Sequence, residues 1–243
     1  MLDALKGQAG ETGARLALDG VRAGYGAVDV LDGVSLSVRP GEIFALMGKN
    51  GMGKTTLLKT ILGLVPLRGG EVALEGAPVA GASPAAMVAA GVGYAPQEQP
   101  LFQDLSIRDN LRLALRSDRE LAGALERVAV HFPFVLDRLG QKAGTLSGGE
   151  QKMLILSRAL MLKPKLLLID EISEGLQPSV VTRIAAALRA EREAGCAILL
   201  VEQNLDFALG VADRWAVLKL GAIDDAGENG PGARERVLEH LKI

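Results

Sequence analysis

The sequence predicts an α/β fold, with a parallel sheet built around a glycine-rich loop. An apolar run at 42–47 leads into this loop at 48–55, and a helical pattern follows it. A second apolar run, 165–169, ends in two carboxylates, and strand and helix patterns alternate along most of the chain. Uninterrupted apolar strands of this kind are typical of the central strands of a parallel sheet, because those strands are buried on both faces.

Two further groups of elements flank this core. Strand patterns at 15–38 and 71–74 predict an N-terminal antiparallel β subdomain. A helical pattern begins at Ser106, which with Asp109 has the spacing of a capping box, and continues to about residue 145. This pattern predicts an inserted α-helical subdomain, after which the core resumes.

These patterns assign bounds to the parts of one domain, which we predict over residues 14–243. The core and the β subdomain take residues 14–97 and 160–243, and the helical subdomain takes 98–159. Residues 1–13 are small or polar, so we expect that segment to be frayed. The sequence contains no internal repeat, no heptad run and no second loop of the same glycine-rich type.

Residues 48–55 read GKNGMGKT and fit a phosphate-binding loop, in which glycines turn backbone N–H groups inward around the phosphates of a nucleotide. Its strand-loop-helix context predicts a P-loop NTPase with a RecA-like core. Lys54 would reach the β- and γ-phosphates, and the Thr55 hydroxyl would bind Mg²⁺. The alternative is a glycine turn that only ends a buried strand, but such a turn needs neither the lysine nor the hydroxyl. The predicted nucleotide-binding residues are Gly48, Asn50, Gly51, Gly53, Lys54, Thr55 and Thr56.

The carboxylates that end the second apolar run are Asp170 and Glu171. Open α/β sheets bind ligands at the carboxyl ends of their strands, so Asp170 is predicted to hold Mg²⁺ opposite Thr55. Glu171 is the candidate general base that orients and polarises the attacking water. A strand that merely ends in solvated acids is the alternative. No Asn-Lys-x-Asp stretch is present to read guanine, which makes ATP the expected nucleotide.

Residues 146–151 read LSGGEQ, and with this motif the chain resembles the ATP-binding cassette (ABC) family of ATPases from about residue 15 onward. The resemblance implies that Ser147, Gly148 and Gly149 contact the γ-phosphate of an ATP held by a second subunit. A local explanation stands beside it, since Ser147 and Glu150 have the spacing of a capping box. The two glycines cost backbone entropy, which favours a close approach by some other group.

Two further positions resemble the same family. Tyr25 is similar to the aromatic residue that stacks on adenine, although a tyrosine in a turn is also an ordinary surface feature. Gln97 is similar to the glutamine that ends a core strand, touches Mg²⁺ or the attacking water, and links to the helical subdomain. A polar residue that opens a loop is the alternative, because Pro96 would stop the strand there in either case.

The chain also departs from the family pattern at three positions. Gln203 stands where the family usually has a histidine, and its amide can hydrogen-bond the γ-phosphate or a water molecule but cannot become a cation. The resemblance therefore predicts a catalytic Gln203 without a proton-transfer role. Ile172 and Gln177 stand where the family usually has proline and aspartate, which puts the inter-subunit contact supported by that aspartate in doubt.

The segments 174–179 and 201–204 are similar to the ATPase subunits of bacterial importers for branched-chain amino acids and for urea or short amides. In those systems two ATPase subunits lie beneath two permease subunits, which a soluble substrate-binding protein supplies. The resemblance implies a cytoplasmic protein that reaches the inner face of the membrane through its partners. Leu101 and Phe102 are predicted to line the groove that receives the permease; packing inward as subdomain core is the alternative.

Composition agrees with this interpretation. The chain has 243 residues, 49% of them hydrophobic, and a formal net charge of -2, which argues against a nucleic-acid surface because phosphate neutralisation needs clustered Lys and Arg. The single cysteine, Cys196, cannot form an internal disulfide. Residues 76–97 carry no formal charge, but Ser83 and Pro84 predict the start of a short surface helix there rather than a membrane span. Since residues 1–13 lack a basic-then-apolar pattern, we expect no signal segment there.

Two other functions stay open at this point. A soluble ABC ATPase acting on DNA or translation would normally bring a long coiled coil, a zinc insertion or two cassettes in one chain, and none is visible in the sequence. A weakly hydrolytic, nucleotide-binding regulatory subunit is favoured by the replacements at Gln203 and Gln177.

Overall fold

The computed structural model describes residues 13–98 and 101–241. The predicted frayed segment therefore lies, except for Gly13, outside the described residues. A six-stranded sheet forms the core, in the order β10-β9-β3-β8-β7-β6. Its strands are β3 (Ile43–Met47), β6 (Val92–Ala95), β7 (Leu166–Asp170), β8 (Ala197–Glu202), β9 (Arg214–Lys219) and β10 (Ala222–Glu228).

The five strands from β9 to β6 are mutually parallel, and β10 is an antiparallel edge strand paired with β9. Every residue of β3, β7 and β8 is buried, as the uninterrupted apolar runs predict. Since the strands are parallel, β3, β6, β7 and β8 all end at the same edge of the sheet, which is where the predicted site residues follow them.

A second, antiparallel sheet confirms the predicted β-rich flank. It has the order β2-β1-β4-β5 and consists of β1 (Leu16–Tyr25), β2 (Val28–Val38), β4 (Leu67–Leu74) and β5 (Ala77–Pro78). One face of this sheet packs with the first helix, α1 (Lys54–Ile61), and with one face of the parallel sheet in a continuous apolar cluster. The flank thereby presses against the loop that precedes α1.

Nine α-helices are present in the described part of the chain. After α1 they are α2 (Pro84–Ala89), α3 (Ile107–Arg112), α4 (Leu121–His131), α5 (Phe134–Asp137), α6 (Gly148–Leu160), α7 (Pro178–Glu193), α8 (Leu205–Val211) and α9 (Ala233–Leu241). Helices α3 to α6 lie in the predicted helical insertion, and their buried residues share one apolar cluster with the other face of the parallel sheet. The subdomain bounds themselves stay a prediction.

Three of the helices begin at the side-chain caps that the sequence predicts. The Ser83 hydroxyl accepts from the Ala86 N–H at the start of α2, with Pro84 at the first helical position. Ser106 caps α3 in the same way. At the start of α6 the reciprocal capping box of Ser147 and Glu150 is complete. The uncharged segment 76–97 folds as β5, α2 and β6, and within the described ranges no helix has both the length and the apolar character needed to cross a bilayer.

A buried ion pair links the residue before β3 to the first residue of β9, the neighbouring strand in the same sheet. One carboxylate oxygen of Glu42, just before β3, lies 3.2 Å from Nη1 of Arg214, the first residue of β9, and both side chains are buried. The other oxygen accepts from the Arg39 N–H, and the Arg214 guanidinium lies 5.1 Å from the centroid of the Phe44 ring. The Glu228 carboxylate also lies 3.6 Å from Nε of Arg214 but is exposed, so loss of the Glu42 charge would remove the buried counter-charge of a buried cation.

We therefore expect Glu42→Gln to lower the free energy of unfolding by about 3 kcal/mol, because breaking a buried pair from one side leaves the other charge desolvated. Chemical denaturation followed by circular dichroism measures this. Asp118→Asn, which removes an exposed carboxylate paired with Arg112, is the matched control and should leave the midpoint unchanged. Equal losses in the two variants would contradict the assignment.

Candidate functional site

The glycine-rich loop is closely packed against two strands at two of its glycines. A Cβ at Gly48 would lie 2.5 Å from the carbonyl oxygen of Leu218, and one at Gly53 would lie 2.9 Å from Cδ2 of Leu31. Gly53 also has a φ of 103°, a left-handed conformation that favours glycine. Contact with β9 on one side and β2 on the other holds the loop at the carboxyl end of β3, directly before α1.

Lys54 is buried at the start of α1, and its ammonium group fills the inside of the loop. Its Nζ donates to the carbonyl oxygens of Gly48 at 2.7 Å and Lys49 at 3.0 Å. The same atom lies 3.1 Å from Oε1 of Glu171. The predicted phosphate-binding lysine and the predicted general base are therefore ion-paired.

The predicted metal ligands Thr55 and Asp170 face each other across the loop and β7. The Thr55 hydroxyl donates to Oδ1 of Asp170 at 3.1 Å. Burial raises the pKa of the Asp170 carboxyl, and the hydrogen bond from Thr55 opposes that shift. A hydroxyl and a carboxylate at this distance supply the hard oxygen ligands that Mg²⁺ prefers, so these residues fit the ion.

Glu171 stands immediately beyond β7 with its backbone in the left-handed region, at a φ of 46°. This conformation is uncommon for a residue with a side chain and costs free energy, so surrounding contacts must hold it. Its N–H donates to the carbonyl oxygen of Val201 at 2.9 Å. Its carboxylate accepts hydrogen bonds from Gln97 at 2.8 Å and from Gln203 at 3.1 and 3.2 Å.

The two glutamines reach this carboxylate from the neighbouring strands. Gln97 follows β6 and Gln203 follows β8, the strands on either side of β7. The Gln203 amide also donates to the side-chain oxygen of Asn50 in the glycine-rich loop, and the Gln97 amide donates to Oε2 of Glu174 at 3.2 Å. Glu171 is thus the centre of a network to which four strand ends contribute.

Sequence reasoning missed two residues beside this network. Lys152 on α6 donates to the carbonyl oxygen of Gln97 at 2.8 Å, although a lysine on an amphipathic helix is usually solvated. Glu202 is buried at the end of β8 and accepts from both the N–H and the hydroxyl of Ser173, each at 3.0 Å. Burial raises the pKa of the Glu202 carboxyl, and the bonds from Ser173 oppose the shift. A carboxylate that ends an apolar strand was the available signal for Glu202.

Other predicted site residues lie apart from the network. Tyr25 ends β1 with half of its surface exposed. Ser147 is engaged in its own cap, where its hydroxyl donates to Glu150 at 2.9 Å. A Cβ at Gly149 would lie 2.9 Å from the Val180 side chain, so packing within the chain already explains that glycine. A Cβ at Gly148 would meet no atom within 4 Å, which leaves that face of the turn open to another molecule.

The model of the family described as "ABC transporter" matches residues 31–174, which include the glycine-rich loop, the turn at 147–149 and both carboxylates. The chain belongs to the ABC transporter family. The resemblance seen in the sequence is confirmed. This chain is an ABC ATPase, a nucleotide-binding subunit that works in transport.

Individual relatives extend the likeness beyond the matched segment. The high-affinity branched-chain amino acid transport ATP-binding protein BraG of Pseudomonas aeruginosa is 38% identical over 86% of this chain and 90% of its own length. The lipopolysaccharide export system ATP-binding protein LptB of Escherichia coli K12 is 32% identical over 86% of this chain and 88% of its own length.

A solved structure gives the same result for the fold. The ADP conformation of an ATP-binding cassette of an ABC transporter superimposes with a TM-score of 0.84 and 25% identity, over 93% of this chain and 95% of that one. The predicted P-loop fold class is therefore confirmed. The roles of individual residues of this ABC ATPase stay predictions.

We expect Lys54→Met to weaken ATP binding at least about tenfold, because a charge-assisted hydrogen bond to phosphate contributes about 1.5 to 3 kcal/mol. Lys49→Met is the matched control: Lys49 lies in the same loop but is exposed, and its variant should bind within about threefold of the wild type. Equilibrium titration with ATP measures both. Unchanged affinity in Lys54→Met would remove this lysine from the binding site.

Proposed function

We propose that this ABC ATPase powers an importer for branched-chain amino acids or for urea and short amides. The observation that carries the proposal is the likeness to BraG, which spans 90% of that protein. LptB, at a similar share of the chain, is an export-system protein by its name, so relatives of this chain serve different cargoes, which the ATPase subunit of a transporter does not itself contact. The chemistry of the cassette is the same in either case.

In the proposed complex, each ATP lies at the seam of two facing subunits. The loop N–H groups and Lys54 bind its phosphates, and Tyr25 stacks on adenine from the exposed end of β1. The open face of Gly148 supports an approach by the γ-phosphate of the ATP that the second subunit holds. The partner is a second ABC ATPase subunit, identical or not.

Thr55 and Asp170 are the proposed ligands of Mg²⁺, with Gln97 beside them. When bound, the ion neutralises charge that develops on the phosphate oxygens. Glu171 is the proposed general base, which orients the attacking water and accepts its proton. Gln203 bridges Glu171 and Asn50 of the loop, so its amide can orient the water while remaining neutral between pH 5 and 8.

A groove between the core and the helical insertion is the proposed contact with the permease. Val88, Phe102 and Leu113 are large apolar residues with much of their surface exposed, and all three line one cavity of about 440 Å³. Leu101, by contrast, is buried within the apolar cluster. It therefore follows the predicted alternative of packing inward, whereas its neighbour Phe102 is exposed. An apolar patch of this kind fits a helix supplied by a membrane subunit.

This contact would hold the protein at the cytoplasmic face of the membrane, with a substrate-binding protein reached only indirectly through the permease. The same surface has no such role in the second candidate function, a soluble or weakly hydrolytic regulatory subunit. That candidate is favoured by Gln203 and by Gln177, which precedes α7 without a side-chain hydrogen bond to its N-terminus. Stimulation of hydrolysis by the co-expressed membrane subunits separates the two.

We expect Glu171→Gln to bind ATP while hydrolysing it about 100-fold or more slowly, since a general base contributes roughly 10²- to 10⁴-fold. In the presence of ATP the variant should then accumulate as the facing dimer, which size-exclusion chromatography with light scattering detects. Glu193→Gln, at the exposed end of α7, is the control and should hydrolyse normally. A Glu171→Gln variant with normal turnover would remove this residue as the base.

Phe102→Asp should abolish stimulation by the membrane subunits and their co-purification, because a charge at the centre of an apolar contact is left desolvated. Basal ATP hydrolysis should stay within about twofold, since the side chain is 58% exposed and outside the network around Glu171. Leu136→Asp, an exposed leucine on α5, is the control and should assemble normally. Normal assembly of Phe102→Asp would move the permease contact elsewhere.

A further inference from the structure

Lys152 stands where three parts of the molecule meet. It lies on α6, just over one turn beyond the Ser147 cap, and its Nζ donates to the carbonyl oxygen of Gln97 at 2.8 Å. The same atom lies 3.4 Å from the carbonyl oxygen of Glu171. One ammonium group therefore connects the helix that starts at the 147–149 turn with the segments after β6 and β7.

Both ends of Gln97 are fixed as a result. Lys152 holds its main-chain carbonyl, while its side-chain amide donates to Glu171 at 2.8 Å and to Glu174 at 3.2 Å. Gln97 opens a loop at the end of β6, so it has no sheet neighbours of its own to fix it. Its direction toward the Glu171 carboxylate depends on these contacts.

The backbone of Glu171 also depends on contacts from surrounding residues. Its left-handed conformation aims the carboxylate at Lys54 and the two glutamines, and that conformation must be held from outside. The Val201 carbonyl holds its N–H, and Lys152 is the group that approaches its carbonyl. Without Lys152, the carbonyl side of Glu171 loses its cationic neighbour.

The surroundings of Lys152 act on its charge in two opposite directions. The residue is half-buried, and burial lowers its pKa, while the negative charges of Glu174, Glu202, Asp170 and Glu171 oppose that shift. Lys152 is thus a cation with four carboxylates near it.

We propose that Lys152 is a positioning residue for ATP hydrolysis, which holds Gln97 and the backbone of Glu171 in their working geometry and ties both to the helix that begins at the Ser147 turn. The inference rests on the roles proposed above for Gln97 and Glu171. It gives the 147–149 turn a physical route to the catalytic centre of its own subunit. Movement of α6 is expected to shift Gln97 directly, through a single hydrogen bond.

The test compares Lys152→Met, Lys152→Gln and Lys152→Arg in the full chain, with Lys163→Met as the matched control on an exposed lysine just beyond α6. We expect Lys152→Met to lower kcat about tenfold, the effect of losing one charge-assisted hydrogen bond in the transition state. The dissociation constant for ADP, measured by calorimetry, should stay within about twofold, because Lys152 lies outside the loop. Lys152→Arg should recover most of the rate.

A kcat of Lys152→Met within about twofold of the wild type would overturn the proposal. So would equal losses of kcat and ADP affinity in Lys152→Met and Lys152→Arg alike, since that result indicates a general structural defect. If Lys152→Met does not fold, as circular dichroism would show, the neutral and shorter amide in Lys152→Gln carries the same comparison. Glu171→Gln is measured in parallel: normal turnover there would refute the proposed base, whereas blocked turnover with an unaffected Lys152→Met refutes only this inference.

Discussion

The buried ion pair of Lys54 and Glu171 is the interaction on which the site depends. Its atoms are 3.1 Å apart and its side chains are 4% and 5% exposed. Two charges taken so far out of water are stable only when each has further polar partners. Lys54 has the carbonyl oxygens of the loop, and Glu171 has the amides of Gln97 and Gln203. The loop carbonyl groups and the two glutamine amides therefore supply the polar partners that this buried ion pair needs.

The parallel sheet brings these partners together. Each partner follows a different strand, and parallel neighbours end at one edge, so a single sheet aligns four loops that are distant in sequence. The antiparallel flank then fixes the glycine-rich loop from outside, through the contact of Leu31 with Gly53. Any shift of the sheet edge would change the distance between Lys54 and Glu171. The packing of the core therefore sets the geometry of the site.

Sequence reasoning predicts those features whose cause is local. The glycine-rich loop, the uninterrupted apolar strands and the cap at Ser147 each follow from neighbouring residues, and the structure contains all three. It does not predict contacts set by tertiary packing. Nothing local distinguishes Lys152 from a solvated lysine, or buried Leu101 from exposed Phe102, because the difference lies in what α6 and the parallel sheet bring against them.

The ion pair also bears on the order of events at the site. Lys54 cannot give its full charge to a phosphate group while it is bound to Glu171, so nucleotide binding in the proposed mechanism exchanges one anionic partner of Lys54 for another. That exchange leaves Oε1 of Glu171 with the amide of Gln203 as its donor and able to accept a proton from water. Because glutamine carries no charge in either state, Gln203 can remain in place throughout. A cationic residue in place of Gln203 would instead supply the positive charge that Lys54 withdraws. The Glu171 carboxylate would then be a poorer acceptor for the proton of the attacking water.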